Sequence, residues 1–260
     1  MKTGFLTLDA IEAFDRDGYI VVENLLDAQE TELLGTIARR DHILAASRTS
    51  RADGEGGSVD LVVENELPTD SIYSAIVQAE PLVSAMESLL GNEVYHYHHK
   101  MILKEPRIGG AWTWHQDYGY WYNNGCLFPD MASCMFAVDR ATKENGCLQV
   151  LRGSHRMGRI DHIKRGDQTG ADMERVNVAL QRMDLVHVEM TPGSAVLFHG
   201  NTLHRSDQNV SENPRWAFIC CYNTRSNNPY KEGRHPLYSP LHQVTADEVA
   251  LIGHSHLQRL

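Results

Sequence analysis

Trp114-His115-Gln116-Asp117 is the stretch on which the fold turns, read together with His204 and Arg215 far downstream. Two histidines and a carboxylate in this pattern form the ligand set of a non-haem iron(II) site, with coordination positions left open for an oxidant and a co-substrate. His115 and Asp117 are separated by one residue, so an extended strand would point both to one side. The long gap to His204 suits a third ligand from a different strand of the same barrel. Arg215 follows at the reach of a strand, a turn and the start of the next strand. Its fork-shaped guanidinium suits a carboxylate held at two points.

The rest of the chain supplies a barrel for these residues. From Glu93 onward, short apolar or alternating runs are punctuated by Gly, Pro, Asn and Asp: Val94 to Leu103, Met131 to Val138, Gly146 to Leu151, Leu185 to Met190, Ala195 to His199 and Trp216 to Tyr222. This is the pattern of an all-β barrel or sandwich, interrupted by a helical insert over Asp172 to Met183. The part before Glu93 reads as helical with one strand. A helix around Leu8, Ile11 and Phe14 stops at Gly18, and an apolar strand runs from Tyr19 to Val22. Asp27 and Glu30 have capping-box spacing ahead of Leu33, Leu34, Ile37 and Ala38. Two further helical pieces cover Asp70 to Ala79 and Pro81 to Leu90, with Pro81 in a first turn and Gly91 as the stop. The polar, Gly-rich stretch Arg48 to Val59 lacks the GxGxxG pattern and is expected to be a surface loop folding over the site. One domain over 1–260 is expected: a helical N-terminal layer to about 92, a β core over about 93–225, and a C-terminal tail.

Composition narrows the function classes. The chain has 260 residues, 42% apolar and 22% charged, ordinary for a globular protein able to bury a core without disulfides. The formal charge of −10, from 24 basic and 34 acidic residues, lacks the basic footprint that nucleic-acid binding needs. No apolar run is long enough to cross a membrane, and the N-terminus has no apolar signal core. The five cysteines (Cys126, Cys134, Cys147, Cys220, Cys221) show no CxxC spacing and read as buried thiols. A cytoplasmic protein acting on a small molecule is expected; the oligomeric state is open.

With 14 histidines in the chain, a His-x-Asp pair alone is weak. The conjunction of the pair, a later histidine and a following arginine raises metal ligation above a satisfied core histidine. A rival cluster, His96, His98 and His99, has no carboxylate at close spacing. Its members are expected to line the pocket or pack in the core, with His96, His98, Lys100 and Lys104 on one strand face. His199 is expected near the metal but not on it. Arg215 leads into Trp216-Ala217-Phe218-Ile219 and so begins a buried strand; a buried arginine wants an anionic partner.

Several of these features together resemble the phytanoyl-CoA dioxygenase family: the Phe14-to-Tyr19 opening, Trp114 through Asp117, Glu144-Asn145-Gly146-Cys147-Leu148, Gly153-Ser154-His155, and His204 with Ser206 and Arg215. The resemblance runs from about Phe14 to Tyr222. It implies a double-stranded β-helix (jelly-roll, cupin-like) core with flanking helices, iron(II), 2-oxoglutarate as co-substrate, and O2. Carried over by position, His115, Asp117 and His204 would hold iron, and Arg215 with Ser206 would hold the distal carboxylate of 2-oxoglutarate. Lys100 would contact or line the co-substrate pocket. Met135 stands where relatives carry a tryptophan. The implied reaction is hydroxylation of an unactivated C–H bond with succinate and CO2 as co-products; in this family's logic halogenation goes with loss of the carboxylate that Asp117 supplies.

The substrate is less constrained. Tyr118, Tyr120 and Trp121, with Tyr122, are expected to form an aromatic wall, and Lys104 is one of several basic candidates. Such a wall suits an apolar ring or an ammonium group. The run Trp112 to Asp130 is also similar to bacterial hydroxylases of small aminophosphonates, which would need both features. Two other classes stay open: a cupin-like metal-dependent isomerase or lyase without 2-oxoglutarate, and a non-catalytic binding module.

Overall fold

Alternation along the longest strands sorts side chains to two faces, and that sorting builds the molecule. The structure is a computed structural model describing residues 5–53, 56–165 and 167–260. Met1 to Gly4, where the sequence lacks a signal core, and Gly54 and Glu55 of the Gly-rich stretch lie outside the described residues. The N-terminal layer consists of α1 (Leu8–Asp17), β1 (Tyr19–Val22), α2 (Ala28–Arg40), α3 (His42–Ala46), β2 (Thr49–Ala52), β3 (Ser58–Glu64), α4 (Ile72–Val77) and α5 (Glu80–Leu90). The core follows with β4 (Val94–Lys104), β5 (Trp112–His115), α6 (Asp117–Trp121), β6 (Met131–Ala137), β7 (Leu148–Leu151), β8 (His162–Arg165), β9 (Gln168–Ala171), α7 (Met173–Leu180), β10 (Leu185–Val188), β11 (Ala195–His199), β12 (His204–Ser206) and β13 (Arg215–Thr224). A final helix, α8 (Ala246–Gln258), lies in the region expected as a tail.

A major sheet of seven strands, in the order β1-β11-β6-β13-β4-β3-β2, accompanies a minor sheet of four, β10-β7-β12-β5; β8 and β9 form a separate hairpin. This is a mainly β, jelly-roll core with flanking helices. On β13 and β6 every residue is buried, because one face packs on the helical layer and the other lines the barrel. Met101, Leu103, Phe136, Leu197 and Phe218 face the helices with Leu34, Ile37, Ile76 and Leu82. Met135, Val196, Phe198, Ala217 and Ile219 face inward with Leu148 and Val150 of the minor sheet.

Local sequence explains the helical layer. Thr7 caps α1, and Gly18 ends it in the left-handed conformation. Asp27 and Glu30 form the reciprocal capping box of α2, and Thr245 and Glu248 form another on α8. These side chains satisfy amide groups that a helix leaves unpaired. The last helix packs on α2 and α4, with Val249 fully buried.

Two expectations about the layer and the barrel are corrected. The Arg48-to-Val59 stretch is a hairpin rather than a loop: β2 pairs with β3, and β3 continues the major sheet beside β4. Just after β2, the carboxylate of Asp53 accepts from the amides of Gly57 and Ala111 and from Gln208. On β4, His96 and His98 do not share a face. His98 pairs with Cys221 whereas His96 pairs with Tyr222, so Tyr97 is an extra, bulged residue. A bulge of one residue reverses alternation beyond it, leaving His98 inward while His96 turns to His99, its ring nitrogen 3.1 Å away.

Candidate active site

Trp112 to His115 form a strand, but Asp117 does not continue it. Gln116 is the last extended residue and Asp117 opens the short helix α6. Asp117 therefore reaches the histidines from a helix N-terminus, not from the alternation of one strand. Gln116 fixes this turn. Its buried amide donates to the carbonyls of Gly158 and Asn201, and its carbonyl accepts from the amide of Ile160. The turn is also close-packed, since a Cβ on Gly119 would fall 2.3 Å from the His162 ring.

His115 and His204 are direct cross-strand partners on β5 and β12. Their Nε2 atoms lie 3.7 and 4.0 Å from Asp117 Oδ1, and one ligand atom from each of the three residues lies within 4.8 Å of the others. His115 Nδ1 contacts the carbonyl of Thr113 at 2.9 Å, and His204 Nδ1 that of Thr202 at 2.8 Å. A carbonyl only accepts, so each Nδ1 donates and each Nε2 presents its lone pair to the common centre. Burial lowers the basicity of both rings, with His204 adding to the effect on His115 and Asp117 opposing it on His204. Neutral imidazoles and one carboxylate are the donor forms a divalent metal takes.

Ser133, which sequence reasoning missed, donates to Asp117 Oδ2 at 2.8 Å. That leaves Oδ1 facing the histidines. Ser133 sits on β6 beside Cys221 of β13, with Oγ and Sγ 3.4 Å apart. No local motif marks it, because its role depends on register between strands far apart in sequence.

The triad opens into a cavity with about 570 Å³ of space, part of it solvent. Val59, Leu61, Ile102, Leu148, Phe198 and Ile219 form apolar walls, and Met135 lines it with them. At one end, Arg215 and Lys104 face each other across β13 and β4. Arg215 is 3% exposed. Its Nη2 donates to the carbonyl of Gly146 at 2.9 Å, while its buried Nε has no partner among the described residues. Burial pushes the guanidinium down to about 10. Lys104 is fully buried; its ammonium donates to Ser206 Oγ at 2.9 Å and to the carbonyl of Asp207. Burial, then the neighbouring Arg215, drives its basicity well below that of an ordinary lysine. A buried guanidinium with no carboxylate within 4.0 Å among the described residues, beside a buried amine whose charge it disfavours, calls for an anion. A dicarboxylate reaching from the triad to this end fits the arrangement.

The aromatic wall is divided. Tyr118 donates to the carbonyls of Cys126 and Leu127, and Trp121 packs against Tyr97; neither lines the cavity. Tyr120 turns toward the triad, its ring 5.7 Å from His115, and its hydroxyl donates to the carbonyl of Thr169. Trp112 supplies the aromatic lining instead. Lys100 lines the cavity with Lys104 but away from Arg215. His199 accepts from the amide of Asn201 and stays off the triad.

The chain is similar in sequence and in fold to known proteins. L-proline trans-4-hydroxylase of Streptomyces griseoviridis is 28% identical over 266 positions, spanning 93% of this chain and 97% of its own. Ectoine dioxygenase of Sphingopyxis alaskensis is 31% identical over 232 positions, spanning 83% of this chain and 75% of its own. The crystal structure of EctD from S. alaskensis with 2-oxoglutarate and 5-hydroxyectoine superposes with a TM-score of 0.79 at 22% identity, covering 94% of this chain and 89% of that one, which is a likeness of fold. The family model for phytanoyl-CoA dioxygenase matches residues 14–217, a span that holds every residue of the triad and the Arg215 end, and the chain belongs to the phytanoyl-CoA dioxygenase (PhyH) family.

Proposed function

We propose that this protein is an iron(II)- and 2-oxoglutarate-dependent dioxygenase that hydroxylates a C–H bond of a small molecule. The observation that carries the reading is the buried, carboxylate-free guanidinium of Arg215 in the same cavity as the His115, Asp117 and His204 donor set. An isomerase or lyase working without 2-oxoglutarate would have no use for that cation. Iron(II) held by the triad would supply oxygen activation coupled to decarboxylation of 2-oxoglutarate.

The chain's own residues would do the rest. Arg215, Lys104 and Ser206 bind the distal carboxylate of 2-oxoglutarate, two of them as charged donors. Lys104, expected on the substrate side, therefore belongs to the co-substrate end. The apolar walls exclude water along the length of the co-substrate. Thr113 and Thr202 hold the two imidazoles in one tautomer, and Ser133 holds one carboxylate oxygen of Asp117 away from the metal. Trp112 borders the space left for substrate, with Tyr120 packed against His115. A small aminophosphonate suits that space, and so do the compact amino-acid-like molecules on which the named relatives act.

The test is iron-dependent release of succinate from 2-oxoglutarate, with and without a panel of small amino acids, ectoine and aminophosphonates. At least one compound should stimulate release and be recovered with one added oxygen atom. Absence of 2-oxoglutarate binding by the iron-loaded protein would overturn the reading.

A further inference from the structure

Lys100 is a cation with no assigned counter-charge. Its position on β4 points it into the barrel, one row from the triad's Ser133 support: Lys100 pairs with Ile219, and Ile219 with Met135. It lines the cavity with His115, Asp117 and His204. No carboxylate lies within 4.0 Å of it and no hydrogen bond satisfies it among the described residues, whereas Lys104 is bonded to Ser206 and Asp207.

The bulge at Tyr97 places a second unsatisfied group beside it. His98 is two residues from Lys100, on the same inward face, next to Lys100 but outside the residues that line the cavity. It is 6% exposed, and its buried Nδ1 has no partner among the described residues. A buried histidine nitrogen left unpaired is costly unless something arrives to pair it. Tyr97, Trp121 and His235 surround His98 at centroid distances of 5.5, 6.0 and 5.0 Å. His235 itself is stacked on Tyr97 at 4.5 Å and bonded to Asn65.

We infer that Lys100 and His98 form a substrate-anion subsite, so that the substrate carries a carboxylate or phosphonate a few bonds from the carbon that is oxidised. The inference rests on the dioxygenase reading above and names the substrate class of that same site. Cys221 and Ser133 lie in one cross-strand row with His98, so His98 is about 10 Å, or two strand spacings, from the residue supporting Asp117. An anion held at Lys100 would leave a compact molecule's far end at the triad. Arg215 and Lys104 hold the co-substrate's carboxylate at the other end of the cavity, so the two anions are kept apart by Ile102 and Ile219.

Lys100 also has a competing role, contact with the co-substrate, and the test separates the two. Calorimetry on iron(II)-loaded protein under anaerobic conditions first measures 2-oxoglutarate affinity. It then measures, in its presence, binding of L-proline, 2-aminoethylphosphonate and their counterparts without the anionic group, prolinamide and ethanolamine, in wild type, Lys100→Met and His98→Leu. Circular dichroism confirms that the variants are folded, and His98→Gln, which keeps a donor, is the rescue for His98→Leu. At least one of the two ligands with an anionic group should bind wild type, its counterpart without that group much more weakly. Lys100→Met should weaken the anionic ligand about tenfold or more while leaving 2-oxoglutarate affinity within about twofold. A loss of 2-oxoglutarate affinity in Lys100→Met with the second ligand unaffected would assign Lys100 to the co-substrate and overturn the inference. So would equal binding of ligands with and without the anionic group, or no binding of either carboxylate or phosphonate ligand. Failure of wild type to bind 2-oxoglutarate at all would count against the dioxygenase reading instead.

Discussion

His115 and His204 face each other across adjacent antiparallel strands with ring centroids 4.0 Å apart, and each ring donates to the carbonyl two residues before it in the chain. The same local device therefore orients both rings, and it needs only backbone that is already fixed by the sheet. The two lone pairs converge before any metal arrives, which lowers the ordering cost of binding one.

Replacing His204 by Ala should remove one of three protein ligands and abolish stoichiometric iron(II) binding. The fold should survive, because His204 contributes no bond to the helical layer. Metal analysis after anaerobic loading, alongside circular dichroism, checks both halves; a fully iron-loaded variant would refute the ligand assignment.

Ser133→Ala should keep the ligands and lose their support. With Asp117 Oδ2 no longer bonded, the carboxylate can rotate, and iron affinity should fall about 10- to 100-fold, as for other residues that orient metal ligands. Competition with a chelator of known affinity measures the change. Ser133→Thr, which retains the hydroxyl, should recover most of it unless the added methyl clashes with Cys221.

Arg215→Lys preserves charge but not the fork, and should raise the 2-oxoglutarate KM about tenfold or more. Gly146→Ala should act in the same direction from a distance. Gly146 has φ +77, a Cβ there would fall 2.3 Å from the carbonyl of Asp207, and its own carbonyl holds Arg215. Either variant with an unchanged 2-oxoglutarate KM would contradict the placement of the anion.

Stability should fall as pH drops below about 6.5. Burial lowers His99 and His199 to about 4 and His96 to about 2. Their folded values lie below the ordinary 6.5, so in this window the unfolded chain binds more protons and acid favours unfolding. Each contributes at most about 1.4 kcal/mol per pH unit between 6.5 and its folded value. Thermal unfolding of metal-free protein at pH 7.5, 6.0 and 5.0 should show a steady decline in Tm; a flat profile would mean that these rings are solvated.

Patterns confined to one segment were readable without coordinates. The helix stops at Gly18 and Gly91, the capping box of Asp27 and Glu30, and the strand Ala195–His199 all follow from neighbours a few residues apart. Features set by pairing between distant segments were not. Asp117 was expected on a strand because its spacing from His115 fits one, but Gln116's bonds to Gly158, Ile160 and Asn201 turn the chain into a helix there. The β2–β3 hairpin was hidden by polar, Gly-rich composition, since β2 is an exposed edge strand with no buried face to pattern it. Lys104 was expected as one of several basic residues on the substrate side; only the register of β4 against β13 reveals that it meets Arg215.

The bulge at Tyr97 has a consequence for how this protein can change. It divides β4 into two stretches whose phases are independent, an aromatic foundation below and a row of Lys100, Ile102 and Lys104 above. Deleting the extra residue, Tyr97, would restore regular alternation with Tyr95 still inward and His96 still outward, so it would remove one inward aromatic ring from the foundation yet leave the upper row in place. A single-codon deletion could thus refit the floor under the substrate while the co-substrate's anchor stayed untouched, which makes this bulge a hinge for specificity on the scale of evolution rather than of motion.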